Sequence, residues 1–261
     1  MGKWAMIDYS KYKRVLCWFS CGAASATATK LALKEFEGVL PVEIHYQDTG
    51  SEHPDNKRFL ADCEKWFGQK IIISKNPKFK DHWEVMEKGR YIAGVAGAPC
   101  TSQLKRKVAE GIIDYFNDLE VFGYTVEEEH RVKRFIEGNE ERRIYPILID
   151  KGLAKDDCLA LVAEAGIELP TMYKLGYKNN NCIGCPKGGK GYWNLIRRTH
   201  PEAFERMSKL ERTLDAAVLK DTVDGNRIKV FLDELDPSAG EYLQEPDISC
   251  GIMCQIAKDD M

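Results

Sequence analysis

Residues 14–30 read RVLCWFSCGAASATATK. The apolar run Arg14 to Phe19 has the length of a buried strand, and residues 25–36 have helical composition. A loop of very small residues, Ser20 to Ala24, therefore joins strand to helix. Such a loop offers backbone N–H groups and the positive end of a helix dipole to an anion, with no charged side chain required. Ser20 and Ser25 add hydroxyls, and Cys21, Gly22, Ala23 and Ala24 complete a candidate phosphate cradle. A tight turn packed for its own sake fits the same residues. The stretch has no GKS, GKT or GxGxxG, so it is neither a Walker loop nor a dinucleotide fingerprint.

VEIHY (42–46) alternates as a second strand and ends in the turn-like QDTGSEHPD. Residues 56–67 have helical spacing, with Phe59, Leu60, Cys63, Trp66 and Phe67 on one side, and Ile71 to Ser74 reads as a third strand. This alternation predicts an α/β fold with a Rossmann-like, doubly wound, mostly parallel sheet, followed by a helical, cysteine-bearing C-terminal part. Ligands of such folds bind outside the carboxyl ends of the strands, where the Ser20 loop and Asp48-Thr49-Gly50 both fall. A carboxylate at Asp48 suits a ribose or adenine edge, or a magnesium ion.

Further on, residues 105–116 and 156–165 predict helices, EVFG (120–123) a strand, and RIYPILI (143–149) a segment reaching a sheet edge. Residues 173–192 are rich in Asn, Gly and Lys and read as loop, and 193–218 form a helical pattern broken near Pro201. The tail from Asp233 carries PSAG, EP and few apolar positions, which predicts an irregular, mobile end. The expected division is a nucleotide-binding domain over 1–170, a cysteine loop with helical extension over 171–232, and a tail over 233–261.

A net charge of −3 in 261 residues supplies no global field for nucleic acid, so that partner needs a local basic patch. No apolar run approaches the ~20 residues that cross a bilayer, and no signal-peptide pattern opens the chain; the expectation is a cytoplasmic protein without a membrane partner. Nine cysteines, an odd number in a reducing compartment, argue against a disulfide framework. Cys17, Cys63 and Cys158 sit in apolar or helical patterns and read as small buried hydrophobes. Cys182 and Cys185 form a CxxC, a spacing used by structural zinc, iron–sulfur clusters and redox dithiols alike. Cys250 and Cys254 form a CxxxC.

FSCGAASA (19–26), YQDTGSEHPDNKRFL (46–60), PCTSQLKRKV (99–108), GYTVEEEHRVKRF (123–135) and the run from YPILIDKG to NNNCIGCPKGG (145–189) stand in the order of the landmarks of one family. From about Arg14 to Gly189 the chain resembles the phosphoadenosine phosphosulfate reductase family, of the adenine nucleotide alpha-hydrolase-like (PP-loop) group. The resemblance implies that Ser20, Cys21, Gly22, Ala23, Ala24 and Ser25, the counterpart of the modified PP-loop SGGxxS, bind the phosphate or sulfate end of an adenine nucleotide, with Asp48, Thr49, Gly50 and Gly123 completing the site. The sequence also departs from the family. Cys21 replaces the first loop glycine, and Ala23 and Ala24 replace the Lys-Asp pair of the ATP-pyrophosphatase relatives, which counts against ATP adenylation. In the GxRxxES landmark Gly123 and Glu128 match, whereas Thr125 stands for the arginine and Glu129 for the serine. Arg131, Arg134 or the lysines near Cys185 are then expected to take over the anion contact.

Family members with a [4Fe-4S] cluster carry a CC pair upstream of the CxxC; here that position is Pro99-Cys100. ISCGIMC (248–254) resembles the family's ECGLH segment, whose cysteine takes the sulfonyl group. The resemblance thus implies Cys250 as nucleophile and Cys100, Cys182, Cys185 and Cys254 as cluster ligands. The implied substrate is an adenine nucleotide, phosphoadenylyl sulfate (PAPS), adenylyl sulfate (APS) or ATP, and the implied reductant is thioredoxin-like. The competing expectation is a PP-loop ATP pyrophosphatase or sulfur-transfer enzyme acting on nucleic acid, with KLGYKNNN and CPKGGKGYWNLIRR on a phosphate backbone and Tyr192 and Trp193 stacking on bases.

Overall fold

The computed structural model describes residues 8–94, 97–139 and 143–248. In chain order the elements are β1 (Arg14–Trp18), α1 (Ala23–Glu35), β2 (Val42–Asp48), α2 (Asn56–Phe67), β3 (Ile72–Lys75) and α3 (His82–Gly89). A π-helical segment (Thr101–Arg106) runs into α4 (Lys107–Glu110), followed by β4 (Asp118–Val121), α5 (Glu129–Gly138), β5 (Ile144–Tyr145) and α6 (Ile147–Asp150). The remainder is α7 (Lys155–Glu164), α8 (Thr171–Lys174), α9 (Lys190–Thr199), α10 (Pro201–Leu214) and a hairpin of β6 (Leu219–Val223) and β7 (Asn226–Val230). These residues form two units, one drawn from Met1–Asp48, Pro54–Lys75 and Val108–Lys174, the other from Thr49–His53, Asn76–Lys107 and Leu175–Met261. The division is thus not a single cut near residue 170, because two upstream segments belong with the cysteine-bearing part.

The first unit holds a five-stranded, all-parallel sheet in the order β3-β2-β1-β4-β5, the Rossmann-like α/β arrangement expected from the alternation. The chain starts at the middle strand and winds outward both ways, so the topological switch point lies between β1 and β4. Val15, Cys17, Phe19, Ile44, Tyr46, Leu119 and Val121 share the main hydrophobic core with Ala26, Ala32, Phe59 and Cys63. The buried positions of α1 are all Ala, Ser or Thr, which lets this helix lie close. The alternate residues of the strands carry a polar ladder. Arg14 donates to both oxygens of Asp118 (2.7 and 2.9 Å) and to Glu43 (2.6 Å), and the Trp18 indole N–H donates to Glu120 (2.7 Å). Cys17, Cys63 and Cys158 are fully buried, as expected, and burial pushes the Cys63 thiol up to about 12 and the Cys158 thiol to about 11, which leaves both inert.

RIYPILI does reach the sheet edge, as β5, but is strand only at Ile144–Tyr145; Pro146 has no N–H to continue the ladder, and Ile147–Asp150 turns into helix. Residues 105–116 are not one helix, since the π-helical segment occupies Thr101–Arg106 and α4 ends at Glu110. Beyond the helical stretch expected over 193–218, whose last helix ends at Leu214, stands the antiparallel β6–β7 hairpin, where no element was expected. Its turn places Asp224 and Gly225 at φ of 50° and 78°, the left-handed pair that an Asp-Gly hairpin turn requires.

In the second unit the helical pattern breaks at His200, giving α9 and α10. The tail is irregular as far as Ile248, yet fastened. The Glu245 carboxylate accepts the N–H groups of Gly191 (2.5 Å) and Tyr192 (3.1 Å) at the start of α9, and Asn181 Nδ2 donates to the Ile248 carbonyl (3.3 Å). Glu211, wholly buried on α10, clasps the hairpin by accepting the N–H of Val218 (2.6 Å) and of Leu232 (2.7 Å). Burial pushes its carboxyl up to about 7 against the pull of those two donors. A carboxyl raised in the folded state contributes stability that is present below its unfolded value and lost as pH rises through about 7. Glu211→Gln, which turns one acceptor into a donor facing an N–H, should be less stable than wild type at pH 5.5. The gap should narrow by about 2 kcal/mol by pH 8.5, read from urea midpoints. A pH-independent gap would refute this assignment.

Candidate functional site

The cradle begins where β1 ends. Phe19 N–H still continues the strand ladder to His45 O (2.9 Å), and the chain then reverses through Cys21 at φ 57°. That left-handed conformation is the physical reason a glycine suits this place, and Cys21 adopts it at a cost of roughly 1–2 kcal/mol. Its side chain is fully buried in the core, with Sγ 4.0 Å from Asn56 O, so the thiol faces inward. Gly22 caps α1 through its carbonyl, which accepts Ala26 N–H (3.0 Å). Ser25 Oγ accepts from Ser20 N (3.0 Å) and donates to Gly22 O (3.0 Å), binding the loop to itself. A wall comes from α8, where the Tyr173 hydroxyl accepts Ala23 N–H (3.2 Å). No sequence signal marked Tyr173, because it lies 150 residues from its partner.

Gly123, just after β4, closes the other side. A Cβ added there would lie 2.4 Å from Ser25 N and 2.6 Å from Ser25 Cα, so strand end and helix start touch backbone to backbone. The loops after β1 and β4 thus flank the switch point, the position at which open α/β sheets bind ligands. The cradle residues Ser20 to Ser25, Tyr173 and Gly123 carry no charged side chain.

The stretch compared with GxRxxES has a local structural use. Glu128 Oε2 accepts Thr125 N–H (3.4 Å), so Thr125-x-x-Glu128 works as a helix-start motif, a reading open to sequence inspection. Arg131 is paired with Glu128 and lies over the Tyr124 ring at 4.8 Å, so the replacement anion contact proposed for it is not made by an uncommitted side chain. Asp48 ends β2, with Lys75 Nζ 3.7 Å from its carboxylate, a position that magnesium would have to contest.

In the second unit, Thr49–His53 packs on the cysteine turn. Thr49 Oγ1 lies 3.3 Å from Cys182 Sγ, Ile183 N–H donates to Ser51 O (2.9 Å), and Glu52 Oε1 is 3.9 Å from the same sulfur. The Tyr192 hydroxyl spans the turn, accepting Cys185 N–H (2.9 Å) and donating to Cys182 O (3.2 Å). The DTG segment therefore divides: Asp48 stands at the sheet edge, whereas Thr49 and Gly50 go with the CxxC. Cys182 is partly exposed and Cys185 buried. Cys100 immediately precedes the π-helical segment, a geometry frequent at functional sites, within a small apolar cluster of Val85, Ala98 and Leu104. Among the described residues no group of three or more His, Cys, Asp or Glu side chains is disposed to hold a metal, and Cys250 and Cys254 lie outside the described residues.

Parts of the stretch offered for nucleic acid are used inside the fold. Tyr192 and Trp193 are buried at 1% and 0% exposure, which removes them as stacking platforms. Lys178, Lys190 and Arg197 bond internally, to Glu245 O, Asp221 and the carbonyls of Leu232 and Leu235. No described helix is long and apolar enough to cross a membrane. Neither a protein-family model nor a curated protein matches the chain.

Proposed function

We propose that the chain is a sulfonucleotide reductase-like enzyme of the cytoplasm, which binds an adenine nucleotide in the Ser20–Ser25 cradle and passes its sulfonyl group to a cysteine thiolate. The observation that carries this reading is the uncharged cradle at the switch point of a parallel sheet. A helix N-terminus supplies about half a positive charge. That matches a single sulfate or phosphate end better than a magnesium-bound triphosphate, which calls for cationic side chains of its own. The second reading, ATP-dependent sulfur transfer to nucleic acid, loses Tyr192 and Trp193 to the core, and Lys178, Lys190 and Arg197 to internal bonds.

In the reaction, the Cys250 thiolate attacks the sulfonyl sulfur. An S–S bond forms, the S–O bond to phosphate breaks, and the electron pair leaves with the adenosine phosphate. A second thiol, from a thioredoxin-like reductant, then attacks Cys250 Sγ and sulfite departs with its electron pair. The roles of the described residues are to hold the nucleotide end on backbone N–H groups and to fix the cysteine turn. A [4Fe-4S] cluster on Cys100, Cys182, Cys185 and Cys254 belongs to the proposal. The described residues do not by themselves supply a three-ligand group, and no step depends on it.

The test is anaerobic purification with iron and acid-labile sulfide analysis, followed by calorimetric titration with adenylyl sulfate, its 3′-phosphorylated form and ATP. A sulfonucleotide should bind at least about tenfold tighter than ATP, a difference of ~1.4 kcal/mol, and release sulfite on addition of a dithiol. Preference for ATP, with AMP formed only when nucleic acid is added, would overturn the reading. Absence of iron and sulfide would remove the cluster alone.

A further inference from the structure

The cysteine turn rests on a histidine that the proposed reaction does not use. His82, the first residue of α3, is 1% exposed. Its Nε2 lies 3.3 Å from the carbonyl oxygen of Gly184, the residue between Ile183 and Cys185. A carbonyl only accepts, so Nε2 carries the proton and Nδ1 is the bare acceptor of the ring. Nδ1 is buried and meets no partner among the described residues, an arrangement that costs about 1–3 kcal/mol. An apolar ring would avoid that cost. What the imidazole adds here is its one bond, and that bond goes to the middle of the CxxC.

The surroundings make this bond a geometric constraint. Gly184 adopts φ 74°, and a Cβ added to it would meet the Trp83 ring at 2.9 Å, so the turn lies directly on α3. Trp83 is in turn covered by the Arg206 guanidinium, 4.9 Å from its ring, and Arg206 is paired with Glu87 (2.7 Å). The His82 backbone N–H donates to Ser51 Oγ (2.9 Å), and the Ser51 carbonyl accepts Ile183 N–H (2.9 Å). Residues 182–185 are therefore held at Ile183 by Ser51, at Gly184 by His82 and at Cys185 by Tyr192.

We propose that His82 is a positioning residue for the Cys182–Cys185 pair, its Nε2–H holding the Gly184 carbonyl and so setting the turn that presents the two thiols. The role is independent of which nucleotide the first unit binds. It is tested on the full-length, reduced, nucleotide-free protein by the rates at which iodoacetamide alkylates each cysteine, read by peptide mass spectrometry. Cys17 and Cys63 serve as internal reporters of folding in the first unit, and Cys100, buried in the second, as the reporter there. In His82→Leu the buried Cys185 should react about tenfold faster than in wild type, and zinc held in competition with a chromophoric chelator should be about tenfold weaker. His82→Gln, which keeps an N–H donor, should restore both readings towards wild type. Equal Cys185 rates in wild type and His82→Leu would overturn the proposal, as would His82→Gln behaving like His82→Leu. If Cys17, Cys63 or Cys100 becomes reactive in the leucine variant, the same criteria are applied to His82→Phe. Failure of sulfonucleotide binding leaves these rates unchanged, so the two proposals fail separately.

Discussion

Cys250→Ser is expected to abolish sulfite release while leaving nucleotide affinity unchanged. A serine hydroxyl is almost wholly protonated near neutral pH, whereas a thiol supplies its nucleophilic thiolate readily, more so beside a cation or helix N-terminus. Even a sulfate ester formed on serine would stall, because thiol exchange operates on S–S bonds. The two effects together predict a rate loss on the order of 10³ or more, measured as sulfite per enzyme with a dithiol in excess. Affinity should hold because residues 20–25, Tyr173 and Gly123 are untouched. The described chain reaches Ile248, whose carbonyl accepts from Asn181, the residue before Cys182. Sulfite release retained in Cys250→Ser would move the nucleophile elsewhere, with Cys254 next to be replaced.

Gly123→Ala should damage the cradle from its other wall. The added methyl would meet Ser25 N at 2.4 Å, Ser25 Cα at 2.6 Å and the Ala24 carbonyl carbon at 2.8 Å, all backbone. No side chain can swing aside. Moving the first turn of α1 instead would break the bonds of Ser25 Oγ to Ser20 and Gly22. Overpacking of this kind costs about 1–3 kcal/mol, and backbone against backbone places this variant at the upper end. Nucleotide affinity should fall about tenfold or more, since the N–H groups that hold the anion are the ones displaced. Gly111→Ala is the control: its Cβ would stand 3.6 Å from Val108 O, an ordinary contact, and both stability and affinity should stay near wild type. Normal binding in Gly123→Ala would mean that the loop after β4 takes no part in the site.

The strand-loop-helix reading of residues 14–30, the parallel sheet and the burial of Cys17, Cys63 and Cys158 were legible in the sequence, because periodicity and residue size act locally along the chain. The β6–β7 hairpin is encoded locally too, in the Asp224-Gly225 pair set between alternating strands, and Thr125 and Glu128 carry a local helix-start pattern.

Other features had no local signature. Tyr173 reaches Ala23 across 150 residues, Gly123 matters because of where Ser25 lies, and Thr49 belongs with Cys182 because of packing rather than with Asp48, its neighbour in the chain. The composition of residues 187–198 suggested a wet, basic face, yet Tyr192 and Trp193 are core, and Lys190 and Arg197 bond internally. The β-α-β-α-β alternation of residues 14–75 and the small, uncharged character of the cradle were legible along the chain, since these depend on short-range sterics and hydrophobic period. What each element closes upon is set by tertiary packing. Contacts such as that of His82 with Gly184 join residues about a hundred apart, and no local rule in the chain encodes them.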